Sequence, residues 1–127
     1  MGIRFEKDTI LNWVNDMAKY LRLVVEHYEH FDKEKKSLDI DKGYSEYFKR
    51  ERLFFKDADE AQIEGFLSSL EAEQIRPLAQ LLMYDGLLSN DKEFLSKAKF
   101  IFELNMKKTG AFSFEDFEYL SVIDKNI

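Results

Sequence analysis

Apolar residues recur along this chain at helical spacings. Between about Lys7 and Phe31, the residues Ile10, Val14, Met17, Leu21, Val24, Tyr28 and Phe31 alternate four and three positions apart. That spacing places them along one seam of an α-helix. Leu11, Ala18 and Val25 form a second apolar row beside the seam, and Trp13 and Tyr20 border its other side. So wide an apolar arc predicts a helix covered by several neighbours. At ~1.5 Å per residue the element is roughly 40 Å long, which makes it the expected spine of the fold. Asp8 suits the positive end of its dipole.

The charged stretch "DKEKKSLDIDKG" lacks periodicity and ends in Gly43, so a loop is expected there. A short aromatic helix follows from about Tyr44 to Phe55, with Tyr44, Tyr47, Phe48 and Phe55 on one face. Capping-box spacings at Asp57/Glu60 or Asp59/Gln62 start a third helix, faced by Ile63, Phe66, Leu67 and Leu70. "EAEQIRPLAQLLMYDGLL" reads as a fourth. Its Pro77 belongs in the first turns or at a kink, and Gly86 belongs at or just past the end. Asn90 or Asp91 caps a fifth helix, whose apolar positions are Phe94, Leu95, Ala98, Ile101, Phe102 and Leu104. A sixth runs from about Phe114 to Ile123 with Phe117, Leu120 and Ile123 inward. No segment alternates as a strand does. The expected class is all-α, a bundle of about six helices forming a single domain over residues 1–127.

One segment raises a question of chemistry. "ELNMKKTGAFSFEDFEYL" has the outline of an EF-hand, with Gly110 sixth and Asp116 twelfth when counted from Asn105. Lys107 occupies the third position, where calcium needs an oxygen ligand. Capping explains every residue instead. Lys107 and Lys108 suit a helix C-terminus, Gly110 the left-handed residue beyond it, and Ser113 with Asp116 the start of the next helix. No calcium site is expected.

Composition narrows the functional classes. The 127 residues carry a formal net charge of -6 and no cysteine. The charge argues against a nucleic-acid partner, which requires a positive surface. Only "KRERLFFK" is locally basic, and it is interrupted by Glu51. Without cysteine there is no disulfide framework, thiolate catalysis or thiolate zinc site. The start "MGIRFEKDTILNWVNDM" has no signal-peptide core, and no run approaches the ~18 apolar residues of a membrane span. A cytoplasmic protein with no membrane partner is the expectation. Aromatic residues reach 15%, enough large rings to close a small core.

Both histidines lie in "VVEHYEH". His27 and His30 are three apart on a helix, but the acids that a carboxylate-bridged metal site needs three residues before each are missing. Val24 and His27 stand there instead. No nucleophile elbow, phosphate-binding glycine loop or metalloprotease motif occurs. No catalytic residue, metal site or cofactor is therefore assigned, and enzymatic activity is unsupported.

The stretch from Leu78 to Leu120 resembles a tetratricopeptide-type helical hairpin. "LAQLLMYDGLL" is similar to the first helix of that repeat, with Ala79 at the close approach, and "FLSKAKFIFEL" to the second, with Ala98 and Phe102 packing. The whole chain, including "KDTILNWVNDMAKYL" and "RPLAQLLMYDGLL", also resembles small uncharacterised helical proteins of bacteria. These resemblances imply an all-helical fold and carry no catalytic residue.

What remains is surface. If Tyr44, Tyr47, Phe48 and Phe55 face inward, Leu53 and Phe54 cannot both join them. One large apolar side chain is then left near solvent beside Arg50 and Arg52, a combination typical of interface hot spots. Leu23 on the first helix is similarly off the main face. The expected function is a helical protein–protein interaction or regulatory module using Leu23, Arg50, Arg52, Leu53 and Phe54. Its partner would be another protein or a second copy. The alternative is a small-molecule-binding protein or enzyme with an aromatic-lined pocket.

Overall fold

The computed structural model describes residues 3–29, 39–110 and 113–127, with side chains from residue 9 onward. The described chain is all-α. Its seven helices are α1 (Ile3–Glu29), α2 (Ile40–Phe48), α3 (Arg52–Asp57), α4 (Glu60–Leu67), α5 (Ala72–Ser89), α6 (Lys92–Thr109) and α7 (Phe114–Asn126). Phe31, His30 and most of the charged stretch expected to be a loop lie outside the described residues.

Local chemistry sets most boundaries. Asp59 caps α4 through a full capping box, with its carboxylate accepting from the Gln62 N–H and the Gln62 side chain accepting from the Asp59 N–H. Asp91 caps α6, and Ser113 caps α7 by accepting from the Asp116 N–H. Gly110 ends α6 at φ 68°, the left-handed conformation that costs glycine least. The pseudo-EF-hand takes in the end of α6 and the start of α7, and residues 111–112 between them lie outside the described residues. Asn105 through Thr109 are still helical, so they cannot wrap an ion.

Three expectations need correction around the middle of the chain. The aromatic helix expected over 44–55 is two helices, because Lys49 turns left-handed (φ 60°) and Glu51 is extended. Gly43 does not end a loop but lies inside α2, which begins at Ile40 with Asp39 as its cap. A β-carbon on Gly43 would stand 2.5 Å from the tip of the Tyr20 side chain, so any larger residue there requires that ring to shift. Gly86 likewise lies inside α5, where a β-carbon would be 2.7 Å from Leu95 of α6. The actual end is Asn90, left-handed at φ 59°. Pro77 falls in the second turn of α5, which starts at Ala72.

The core centres on α5, which packs against α6, α1 and α7. It buries Leu78, Ala79, Leu81, Leu82 and Met83. Helix α6 answers with Phe94, Leu95, Ala98, Ile101 and Phe102, so α5 and α6 form a tightly packed hairpin with an alanine from each in the contact. The aromatics Tyr44, Phe48, Phe55 and Phe66 fill the other end in a chain of ring contacts.

Helix α1 is therefore not the spine but a long outer member. Among its described side chains, Met17 and Val24 are buried. Trp13 donates its indole N–H to the Tyr47 carbonyl at 3.0 Å, and Tyr20 donates its hydroxyl to the Asp39 carbonyl at 2.9 Å. These two polar tips need partners on α2 and at its cap. They roll the helix toward its aromatic edge, and the opposite apolar row containing Leu11 and Ala18 is left exposed. In α7, Ile123 is buried as expected, but Phe117 is half exposed and Phe114 is 90% exposed.

Candidate interaction surface

The corner between α2 and α3 gathers four of the five residues the sequence singles out, and it holds each differently. Arg52, in the first turn of α3, points inward. Its Nε and Nη2 donate to the two oxygens of Asp85 at 2.7 and 2.8 Å, a bidentate pair. Asp85 is 1% exposed and also accepts from the Tyr44 hydroxyl at 2.6 Å. The Arg52 guanidinium lies over the Phe94 ring, 4.6 Å from its centre. The bond to Asp85 raises the pKa of Arg52. Burial, reinforced by the Asp85 charge, holds the Tyr44 phenol well above its ordinary range. Arg52 is thus a tie between α3 and α5.

Arg50 and Phe54 form a stack. The Arg50 guanidinium lies 4.8 Å from the Phe54 ring centre and 5.7 Å from that of Phe66. Phe54 itself packs edge-to-face on Phe55 and Phe66, so it is half-buried. Leu53 has no such cover and is 57% exposed. Leu23 is equally exposed on α1 but lines neither depression at this corner.

Two open depressions flank Leu53. One, of about 500 Å³, is lined by Lys49, Arg50, Glu51, Phe54, Asp57 and Gln62 among others. The other, of about 630 Å³, is lined by Asp39, Asp41, Lys42, Ser45, Glu51 and Arg52. Leu53 and Glu51 border both. Leu53 is therefore an apolar ridge between two grooves with rims of mixed charge.

Two buried charged residues interrupt the apolar faces of α5 and α6. Asp85 is one. Lys97 is the other: it is buried on α6 and donates from Nζ to the Lys56 carbonyl in the last turn of α3 at 2.7 Å. A lone charge inside an apolar run is the signal for Asp85 in "LLMYDGLL", whereas "FLSKAKFIF" carries two lysines and does not single out Lys97. A third tie joins α5 to α7, where Arg76 pairs with Asp116 at 2.7 Å and Glu115 at 2.6 Å. Every buried side-chain polar atom among the described residues has a hydrogen-bond partner.

Among the described residues, no cluster of three or more His, Cys, Asp or Glu is placed to hold a metal ion. His27 is half-buried on α1, and His30 lies outside the described residues. No described helix is long and apolar enough to cross a membrane. Comparison with known proteins finds no matching family model, no matching curated protein and no matching solved structure.

Proposed function

We propose that this chain is a small helical protein–protein interaction module that binds its partner at the α2–α3 corner. The observation that carries the reading is Leu53, 57% exposed on a short helix between two open depressions. An exposed apolar ridge bordered by polar rims is the anatomy of a protein interface. The underlying tie supports the same reading. Arg52, Asp85 and Tyr44 anchor α3 to the core, so Leu53 is presented on a fixed element and little ordering cost falls on binding.

In this reading Arg50 and Phe54 form a preassembled cation–aromatic shelf beside the ridge. The α5–α6 hairpin serves as a tetratricopeptide-like scaffold beneath it, in a cytoplasmic protein. The pocket alternative has less support. Tyr44, Phe48 and Phe55 are consumed by the core instead of lining a cavity, and neither open depression is lined by a tyrosine.

A photocrosslinking residue at position 53, introduced in cells that express the chain, tests the proposal. A discrete protein adduct is expected, and Leu53→Glu should abolish the corresponding co-purification without changing the melting temperature. If position 53 captures nothing beyond an inert surface position such as Glu64, or if Leu53→Glu retains its partners, the corner is not the binding surface.

A further inference from the structure

Arg50, Arg52 and Arg76 each lie over an aromatic ring, and two of them hold carboxylates. Arg52 rests on Phe94 and takes both oxygens of Asp85. Arg76 lies 5.7 Å from the Tyr119 ring centre and binds Asp116 and Glu115. Arg50 has the same support, from Phe54 and Phe66, but it is exposed and makes no ion pair among the described residues. A guanidinium held against a ring presents its planar fork of N–H groups with little further ordering to lose when it grips a carboxylate. Lys49 lines the same depression. It too is exposed and makes no ion pair among the described residues, and its backbone is left-handed at φ 60°. Glycine would hold that conformation at lower cost. A lysine there gives up stability and places a second unmatched cation on the groove.

We infer that this groove receives a carboxylate from an acidic segment of another protein, an aspartate or glutamate side chain next to an apolar residue that covers Leu53. The inference rests on the reading of the α2–α3 corner as the binding surface and names the chemistry of its partner. Charge carries the choice of occupant. On one side of Leu53, Lys49 and Arg50 are unmatched. On the other side, Lys42 faces Glu46 at 3.9 Å and Arg52 is bound to Asp85 at 2.7 Å, so Asp39, Asp41 and Glu51 leave that depression acidic. An acidic side chain is drawn to the first groove and repelled from the second, which sets the direction of the segment across the ridge. Glu51 and Asp57 also border the cationic groove. They oppose the larger charge of a phosphate more than the single charge of a carboxylate. The volume of about 500 Å³ lies within the range of binding clefts.

The probe is an array of short synthetic peptides that combine leucine with aspartate, asparagine, lysine or phosphoserine at every spacing, applied to the whole protein. Aspartate peptides are expected to bind, less tightly as salt is raised, and their asparagine and lysine counterparts to bind roughly tenfold less. Arg50→Gln should weaken the aspartate peptides by roughly tenfold. Lys49→Gly should weaken them by roughly threefold while raising the melting temperature, a pair of opposite changes that a purely structural lysine would not give. An array in which no aspartate peptide binds overturns the inference, as does tighter binding of lysine or phosphoserine peptides. Photocrosslinking from position 53 separates this inference from the reading beneath it. An adduct that persists undiminished in Arg50→Gln leaves the corner as a binding surface and overturns the carboxylate. An adduct made of two copies of the chain overturns the acidic partner. If position 53 captures nothing, both readings fall.

Discussion

Asp85→Ala removes the acceptor at the junction of α2, α3 and α5. In the native fold its carboxylate takes three hydrogen bonds, one from Tyr44 and two from Arg52. The two donors are affected unequally. Tyr44 is fully buried, so its stranded hydroxyl costs about 1–3 kcal/mol. The Arg52 side chain is 27% exposed and can turn to water, which leaves about 1 kcal/mol for the lost ion pair after solvent screening. The sum is about 3 kcal/mol, or a melting temperature lower by roughly 10 °C for a domain of this size. The sharper expectation is a change of sign. Tyr44→Phe in the native background loses a hydrogen bond and destabilises by about 1 kcal/mol. In the Asp85→Ala background the same change removes a stranded hydroxyl and stabilises by a similar amount. Urea melts of the four proteins in this double-mutant cycle measure both effects. If Tyr44→Phe shifts stability equally in the two backgrounds, Tyr44 and Asp85 are not coupled and their hydrogen bond does not tie α2 to α5.

Two further predictions follow from packing and burial. Gly86→Ala should destabilise by about 1–3 kcal/mol despite its better helix propensity, because the new β-carbon would meet Leu95 at 2.7 Å, including its backbone nitrogen at 3.0 Å. Gly65→Ala has nothing within 4 Å and lies in α4, so it should stabilise by about 0.5–1 kcal/mol; thermal melts that rank the two variants the other way would contradict the helix contacts described. Burial raises the phenols of Tyr20, Tyr44, Tyr47, Tyr84 and Tyr119, with Tyr84 pushed up to about 12. Below about pH 10 both folded and unfolded chains keep these protons. Above it the unfolded chain releases them first, so stability should fall as pH rises from about 10 toward 12. Tyrosinate absorbance should lag and then rise with unfolding, and Tyr84→Phe should flatten the decline; non-cooperative ionisation of all phenols near pH 10 would contradict their burial.

The helical class, the starts of α4, α6 and α7, the end of α6 and the aromatic core were legible in the sequence because they rest on short-range physics. The caps at Asp59, Asp91, Ser113 and Gly110 join residues no more than four apart, and the 3.6-residue period of Phe94, Ala98, Ile101 and Phe102 is a property of one helix. The geometric argument that Leu53 and Phe54 cannot both turn inward is of the same kind, and Leu53 is the one that faces solvent. Tertiary structure alone decided the rest. It chose Lys49 as the break between α2 and α3, and it turned Arg52 from a surface cation into the partner of a carboxylate 33 residues away. It fixed Gly43 and Gly86 as close-approach positions within helices, not as helix ends. It also selected which half of the wide apolar arc of α1 would be buried. Periodicity shows that an arc exists, but the hydrogen bonds that rotate it, from Trp13 to Tyr47 and from Tyr20 to Asp39, join residues 34 and 19 positions apart. A helix's own sequence cannot specify its rotation about its axis when more apolar surface is available than its neighbours cover. The pairings of Trp13 and Tyr20 with α2 and its cap, read only from the tertiary structure, mark the half that turned inward.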